Sequence, residues 1–248
     1  MLGIIGGTGL AQLANLEITH RQVIRTPYGE PSGALTFGKI KDHEVVFMAR
    51  HGYGHSIPPH EVNYQANLWA LHAQGVRNVV SIATVGGINP DYEPGAIVIP
   101  DQIIDYTHGR KATYFDGNNT SVTHIDFTEP YCEKMRAQCM QAALLSGEKF
   151  IDGGVYAAVQ GPRLETAAEI NRLDRDGATM VGMTGMPEAV LARELGLCYA
   201  AIAVVANHAA GRNSSKHAIS FEEIDVVLKQ AMQRVRIILE HVVGLDGD

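Results

Sequence analysis

The chain has few cysteines, few aromatic residues and no long apolar run, and two of these shortages exclude classes of protein. Its 248 residues include only three cysteines, Cys132, Cys139 and Cys198, which show no zinc-binding spacing and cannot all pair. We therefore expect three small, buried, unpaired thiols in a reducing compartment. No apolar run approaches the roughly 18 residues that a membrane-spanning helix needs. The opening residues, MLGIIGGTGL, lack the basic leader of a signal peptide, so the expected location is the cytoplasm.

Basic residues are fewer than acidic ones. Lysine and arginine number 20 against 27 acidic residues, which gives a formal net charge of −7. Because nucleic-acid binding favours a basic face, this balance argues against a nucleic-acid partner. It is compatible with a small anionic ligand, since a few arginines and backbone amides are enough for a local anion site. The sequence has neither a G-x-S-x-G elbow nor a Walker A motif, which disfavours acyl transfer and nucleotide triphosphate hydrolysis.

Short apolar runs alternate with helical patterns along the chain. The runs are mostly continuous, which is typical of strands covered on both faces, and they lie at Leu2–Ile5, Val45–Ala49, Asn78–Val85, Ala96–Ile99, Val155–Val159, Met180–Met183 and Tyr199–Ala206. Helices are predicted at His60–Gly75, Glu129–Ser146, Leu164–Asp176, Pro187–Leu195 and Ser220–Val243. This alternation indicates an α/β fold with a mostly parallel or mixed sheet, and we expect one domain over residues 1–248. Residues 106–127 are polar without a clear period and are predicted to form a long surface segment.

Polar or glycine-rich sequence follows five of the predicted strands. The segments are GGTGL, RHG, TVGGINP, MTGMPE and NHAAG. Ligands of α/β sheets gather at the carboxyl ends of strands, so these segments are expected to form one site. GGTGL fails the dinucleotide fingerprint because Gln12 replaces the third glycine, and it is either a phosphate-binding turn or a plain tight turn.

Arg50 and His51 are candidates for an oxyanion site. A guanidinium at a strand end can clamp an oxyanion bidentately, with His51 as a further donor, although a surface arginine would give the same pattern. His51, His55 and His60 straddle the sequence SIPP, which breaks any helix. Because the three imidazoles then share no helical face, the sequence predicts no metal site.

The motifs GGTGL, RHG, PPHEVNYQANLWAL, GGINPDYEPGAIVIPDQIIDYT, GPRLET and GMTGMPEAVLARELGLCYA resemble, in this order, the trimeric purine nucleoside and methylthioadenosine phosphorylase family. The resemblance covers essentially the whole chain. It implies a phosphorylase/hydrolase-like fold, in which a mixed sheet with a small distorted barrel is surrounded by helices. It also implies a homotrimer that cleaves the purine N9–C1′ bond with inorganic phosphate as co-substrate, without a cofactor, a metal or a covalent intermediate.

The resemblance also assigns residues to the phosphate and the sugar. It places phosphate at Thr8, Arg50, His51 and Thr184 and at the backbone amides of Ala83 and Thr84, and it places Met183 under the sugar. Relatives often carry a polar residue where this chain has Ala83, so the backbone alone is expected to act there. His124 is similar to a residue that reaches into the neighbouring subunit's site.

The purine is predicted from Asn207, His208, Ala209 and Glu165. Adenine-directed members carry aspartates at the positions of Asn207 and Ala209, whereas this chain has an amide and a methyl group. An amide matches a 6-oxopurine, which presents an acceptor at O6 beside a donor at protonated N7. Glu165 agrees with this assignment, since a carboxylate accepts from N1–H of hypoxanthine but opposes the acceptor N1 of adenine. His208 is assigned to the same substrate site.

The 5′ end of the sugar is predicted from Phe221. Members that act on ordinary nucleosides carry a histidine there for the 5′-hydroxyl, whereas a phenyl ring favours a methylthio group. The predicted reaction is phosphorolysis of S-methyl-5′-thioinosine to hypoxanthine and 5-methylthioribose 1-phosphate. General inosine and guanosine phosphorolysis, methylthioadenosine phosphorolysis and a noncatalytic purine sensor are the alternatives.

Overall fold

The computed structural model describes residues 1–117 and 120–246, which form an eleven-stranded mixed sheet flanked by five α-helices. The strands are β1 (Leu2–Gly6), β2 (Glu17–Gln22), β3 (Leu35–Ile40), β4 (His43–Ala49), β5 (Asn78–Gly87), β6 (Ile97–Ile99), β7 (Gln102–Asp105), β8 (Ile151–Asp152), β9 (Val155–Ala158), β10 (Met180–Gly182) and β11 (Cys198–His208). The helices are α1 (Tyr64–Ala73), α2 (Glu133–Leu145), α3 (Ala167–Arg175), α4 (Gly185–Glu194) and α5 (Phe221–Leu245). The predicted α/β class is confirmed.

Side-chain caps start three of the helices. Thr166 and Glu169 form a capping box at α3, which satisfies two backbone donors at the helix start. Ser220 accepts from the amide of Glu223 at α5, and Asn63 caps α1 in the same way. Within the described ranges, no helix is long and apolar enough to cross a membrane.

The central strand β5 determines where the other strands end. The first half of one edge of β5 pairs in parallel with β1, and the last two residues of that edge pair antiparallel with β10. Its other edge pairs in parallel with β11 along its whole length. Strands β1 and β10 therefore lie along the same edge of β5 and run toward each other, with their carboxyl ends facing. Their ends meet beside the middle of that strand.

Two main apolar clusters cover the two faces of the sheet. Helices α1 and α4 contribute to one cluster, and α2 and α5 contribute to the other. One face of α5, which includes Leu228, Val235 and Val242, is buried in the second cluster. Burial on both faces explains why β1, β6 and β10 consist entirely of buried residues.

The expectation of three unpaired thiols is wrong for two cysteines. Cys132 and Cys198 form a disulfide, whereas Cys139 is free and buried as expected. Cys132 precedes α2 and Cys198 begins β11, and the amide of Cys132 donates to the carbonyl of Tyr199 at 2.8 Å. A separation of 66 residues gives no sign of this proximity. Cysteine usage therefore does not support the prediction of a reducing compartment.

Candidate active site

The convergence of β1 and β10 on β5 brings three threonines to one cavity. Thr8 follows β1, Thr184 follows β10, and Thr84 lies in β5 between them, where its hydroxyl donates to the carbonyl of Thr8 at 3.2 Å. The convergence combines parallel and antiparallel pairing, because β1 runs parallel and β10 antiparallel to β5. This is consistent with the predicted mostly parallel or mixed sheet. A Cβ on Gly7 would lie 2.8 Å from Nη1 of Arg50, so the turn after β1 requires glycine.

The cavity has a volume of about 680 Å³, within the range of small-molecule sites. Most of the residues expected at the site line it: Thr8, Arg50, His51, Thr84, Glu165, Met183, Thr184, Asn207, Ala209 and Phe221. The side chains of Ala83, His124 and His208 do not. Ala83 is buried within β5, and the expected role of its backbone stays a prediction.

Arg50 is fully buried and paired with Glu188, a residue that the sequence analysis did not single out. Nε and Nη2 of Arg50 donate to the two carboxylate oxygens of Glu188 at 2.7 and 2.9 Å. Nη2 also donates to Ser81, and Nη1 donates to the carbonyl of Ile82 at 3.0 Å. Four of the five guanidinium hydrogens are therefore used. One N–H of Nη1 is left for a ligand, so the expected bidentate clamp on an oxyanion is not available.

The ion pair keeps both of its members charged. Burial alone would lower the pKa of Arg50, but the charge and hydrogen bonds of Glu188 raise it. Burial would raise the pKa of Glu188, but Arg50 lowers it, with hydrogen bonds from Ser81 and Tyr199. The sequence shows Glu188 only as an acidic residue near the start of a predicted helix. Its full burial, which is unusual for a glutamate, is visible only in the fold.

His51 presents an acceptor to the cavity where the sequence analysis expected a donor. Its Nδ1 lies 2.9 Å from the carbonyl of Ile57, which can only accept, so Nδ1 carries the hydrogen. Burial, reinforced by the charge of Arg50, lowers the pKa of His51 to about 4. The ring is therefore neutral at pH 7, and Nε2 carries a lone pair.

Asn207 and Ala209 face the cavity, whereas His208 faces away from it. Asn207 and His208 end β11, and Ala209 follows it. Successive residues of a strand point to opposite faces, so Asn207 and His208 point to different sides. Nδ2 of Asn207 donates to the carbonyl of His208 at 2.6 Å, which fixes the orientation of the amide and leaves Oδ1 as an acceptor. The His208 ring lies 2.9 Å from Ser214 and 3.2 Å from Glu93. The assignment of its side chain to the purine site has no geometric support.

Glu165 separates the main cavity from a second one of about 530 Å³. It lies in the short segment before α3, next to the helix cap Thr166. Burial raises the pKa of Glu165 above its ordinary value, and the nearby Glu169 raises it further. A carboxyl group with a raised pKa can change its protonation state in mildly acidic solution.

The first two turns of α5 supply an apolar surface to the cavity. Phe221, Ile224 and Leu228 are spaced three and four residues apart, so they share one face of the helix. Phe221 is 68% exposed in the single chain although it lines the cavity. Asp225 also lines it, one turn beyond Phe221.

Comparisons with known proteins show which family the chain resembles over its length. The family model of the Phosphorylase superfamily matches residues 1–244. A probable S-methyl-5′-thioinosine phosphorylase of Pseudomonas syringae pv. tomato is 49% identical over 241 residues, which are 97% of this chain and 97% of that protein. A 6-oxopurine nucleoside phosphorylase of Pyrococcus furiosus is 44% identical over 243 residues, covering 96% of this chain and 90% of that protein.

A solved structure shows the same similarity in three dimensions. Methylthioadenosine phosphorylase from Schistosoma mansoni in complex with adenine superposes with a TM-score of 0.93 at 31% sequence identity. The superposition covers 99% of this chain and 91% of that chain.

Proposed function

Because the chain belongs to the Phosphorylase superfamily, we propose that it catalyses the phosphorolysis of S-methyl-5′-thioinosine to hypoxanthine and 5-methylthioribose 1-phosphate. It is a nucleoside phosphorylase, a pentosyltransferase with inorganic phosphate as acceptor. The observation that carries the choice of purine is the amide of Asn207, which lines the cavity together with Ala209 and Glu165.

The polarity of these three side chains matches hypoxanthine. Oδ1 of Asn207 accepts from N7–H of the base, and the remaining N–H of Nδ2 donates to O6. Ionised Glu165 accepts from N1–H. Adenine would place its acceptor N1 opposite this carboxylate, a mismatch that costs about 1–3 kcal/mol. Ala209 offers no acceptor to a 6-amino group.

The phosphate is held by donors on one side and by an acceptor on the other. The donors are the hydroxyls of Thr8 and Thr184, the free N–H of Arg50 and one backbone amide of the Ala83–Thr84 pair, since successive amides of a strand point to opposite edges and β11 occupies one edge of β5. His51 accepts the single P–O–H hydrogen of HPO₄²⁻ at Nε2. This arrangement orients the unprotonated oxygens toward the donors and the sugar, and no cofactor or metal takes part.

The reaction exchanges one bond at C1′ for another. The C1′–N9 bond breaks, its electron pair goes to the purine, and positive charge develops on the sugar. The phosphate dianion stabilises that charge and then forms the new bond to C1′ through one oxygen. N7 takes a proton from solvent as the C1′–N9 bond breaks, and the proton of the phosphate is released to solvent when the sugar phosphate ionises. Asn207 stabilises the departing base through N7–H and O6. Met183 lies beneath the sugar.

A methylthio group at the 5′ position fits the apolar surface formed by Phe221, Ile224 and Leu228. Burying a 5′-hydroxyl against that surface without a partner would cost free energy. Sulfur in contact with the Phe221 ring adds a modest stabilisation. The proposed substrate therefore combines a 6-oxopurine with a 5′-thioether.

The active form is proposed to be a homotrimer. Val122 is 69% exposed, and the nearby His124 is also exposed. A second copy of the chain would cover this segment and bring His124 to the neighbouring cavity. The exposed ring of Phe221 lies at the open side of that cavity, where such a contact would shield it.

The proposal predicts which of four nucleosides is the best substrate in a side-by-side assay. Methylthioinosine, methylthioadenosine, inosine and guanosine are each incubated with and without phosphate, and release of the base is followed. We expect phosphate-dependent release with the highest kcat/KM for methylthioinosine. Saturable binding without release would favour a noncatalytic purine sensor. A higher kcat/KM for methylthioadenosine would contradict the choice of purine.

Asp225 favours a second candidate, general phosphorolysis of inosine and guanosine. Its carboxylate lies one turn from Phe221 on the cavity wall and can accept from a 5′-hydroxyl. Comparing inosine with methylthioinosine separates the two candidates. Phe221→His is the diagnostic variant and Asp225→Asn is its matched control. If methylthioinosine is the substrate, Phe221→His raises the relative activity on inosine and Asp225→Asn leaves the low inosine activity low.

The purine preference is expected to depend on pH through Glu165. Burial raises its pKa, so lowering the pH protonates this carboxyl group more readily than an ordinary glutamate. The protonated group donates to N1 of adenine and no longer accepts from N1–H of hypoxanthine. The ratio of kcat/KM for methylthioinosine to that for methylthioadenosine should fall as the pH is lowered from neutral into the acidic range. Steady-state kinetics with both substrates measure it. Glu165→Gln should flatten the dependence, and a constant ratio in the unmodified protein would contradict the role of Glu165.

A further inference from the structure

Arg110 connects two backbone segments that carry the site. It lies in the long polar segment after β7, and its Nη1 donates to the carbonyls of Met183 and Met186, both at 2.7 Å. Its Nη2 donates to the carbonyl of Gln160 at 2.9 Å, and its Nε donates to the Gln160 side chain at 3.2 Å. The planar guanidinium group thus binds two strand-end segments at once.

Neutral oxygens, most of them backbone carbonyls, and not a carboxylate, are the partners of this cation. Among residues 1–117 and 120–246, no aspartate or glutamate forms an ion pair with Arg110. The guanidinium also lies over the Tyr64 ring, 5.5 Å from its centre. A residue kept only for solubility would not direct its donors to the main chain in this way, since surface arginines usually remain solvated.

The carbonyls that Arg110 binds bracket Thr184. Met183 precedes Thr184 and Met186 follows it by two residues, so Arg110 holds this short turn at both ends. Between them, the amide of Thr184 donates to the hydroxyl of Tyr156 at 3.3 Å. Met186 has non-helical dihedral angles, so the helix does not hold this turn in place by itself. Arg110 and Tyr156 supply the missing support.

The second segment leads to the purine side of the cavity. Gln160 follows β9 and precedes Glu165 by five residues. The amide of His108 donates to the Gln160 side chain at 3.1 Å. This bond is a second link between the segment that contains Arg110 and the segment that contains Gln160. The segment that contains Arg110 is therefore fastened to both the Thr184 turn and the Glu165 segment.

We propose that Arg110 is a positioning residue of the phosphorylase reaction, which sets the backbone of Met183 and Thr184 under the sugar and the phosphate by binding the carbonyls on either side. This inference rests on the proposed function, because it assigns Thr184 to the phosphate. Lysine cannot replace arginine fully, since one ammonium group cannot span both segments. A displacement of about 1 Å at such a position can cost about 10²-fold in rate.

The test compares Arg110→Ala and Arg110→Lys with Arg136→Ala. Arg110 is half-buried and Arg136 is buried. Arg136 serves as the control because it also donates to two carbonyls, those of Ile99 and Pro100, away from the cavity, and its removal also costs two ion pairs. We expect Arg110→Ala to lower kcat by about 10²-fold and to raise the KM for phosphate. Arg110→Lys should lose less, and added guanidinium should restore part of the activity of Arg110→Ala. Arg136→Ala should keep kcat even where its thermal stability falls.

A second readout does not depend on turnover. Amide hydrogen exchange of the peptide over residues 180–190 should become faster in Arg110→Ala and remain unchanged in Arg136→Ala. If the unmodified protein releases no base from any nucleoside, the proposed function fails, and the exchange measurement still decides whether Arg110 holds this turn.

Three results would overturn the proposal. The first is a folded Arg110→Ala with unchanged kcat, phosphate KM and exchange. The second is an equal loss of kcat in Arg110→Ala and Arg136→Ala, which would show a general effect on stability. The third result applies if Arg110→Ala does not fold. In that case Arg110→Lys is measured, and unchanged kcat, phosphate KM and exchange in that variant would overturn the proposal.

Discussion

Replacing Asn207 by alanine is expected to lower kcat for methylthioinosine by about 10²–10³-fold, with a smaller change in the nucleoside KM. The amide meets N7–H and O6, where negative charge develops as the C1′–N9 bond breaks, so its contribution is largest in the transition state. The Asn207 side chain is already oriented by its 2.6 Å hydrogen bond to the carbonyl of His208. No reorganisation is needed when the base departs.

Steady-state kinetics with saturating phosphate measure this effect. Asn15→Ala is the matched control, because it also removes an amide, one that bonds Glu240 and does not line the cavity. The control should retain kcat. An Asn207→Ala variant with unchanged kcat would remove the assigned role of the amide, whereas a rise in KM alone would reduce Asn207 to a ground-state contact.

Changing Asn207 and Ala209 together to aspartate is expected to move the preference toward methylthioadenosine by about 10²-fold in the ratio of kcat/KM values. Two acceptors then face the 6-amino group and protonated N7 of adenine, and each matched or mismatched hydrogen bond contributes about 1–3 kcal/mol. Ala209 is buried and its Cβ lies close to Gly86, so the new carboxylate must extend into the cavity. Glu165 still opposes adenine N1 in this variant, and adding Glu165→Ser should increase the change further.

The experiment compares kcat/KM for the two methylthio nucleosides in each variant. Asn207→Asp with Ala209→Asn is the matched control, since it has the same size but lacks the second acceptor-only group. It should show a smaller change than the double aspartate. An unaltered ratio in the double aspartate, with the protein folded, would contradict the argument from hydrogen-bond polarity.

Burial determined which strands could be found in the sequence. All seven predicted strands overlap observed ones, because each is a run of apolar residues buried within the sheet. The sequence analysis missed β2, β3, β7 and β8. Strand β2 is exposed at all six positions, and β8 has only two residues, so neither gives a continuous apolar signal.

The choice of site residues was more successful than the account of their interactions. Ten of the expected residues line one cavity, since the chemistry follows strand ends that the fold brings together. His208 was also expected at the substrate site, but its ring lies near Ser214 and Glu93 and does not line the cavity. Glu188 and Arg110 were missed because their partners lie more than 40 residues away along the chain. Local pattern carries no information about such pairs.

The sequence by itself determined the chemical types at the site: an amide, a methyl group and an acid for the base, and hydroxyls with an arginine and an imidazole for the phosphate. Only the tertiary structure decided which atoms of these groups are free to act. Glu188 accepts two of the hydrogen bonds that Arg50 can donate. The carbonyl of Ile57 determines that Nδ1 of His51 carries the hydrogen, and the carbonyl of His208 orients the Asn207 amide. The physical reason is that residue type sets what a group can donate or accept, whereas burial and neighbours in space decide which of those capacities are already satisfied.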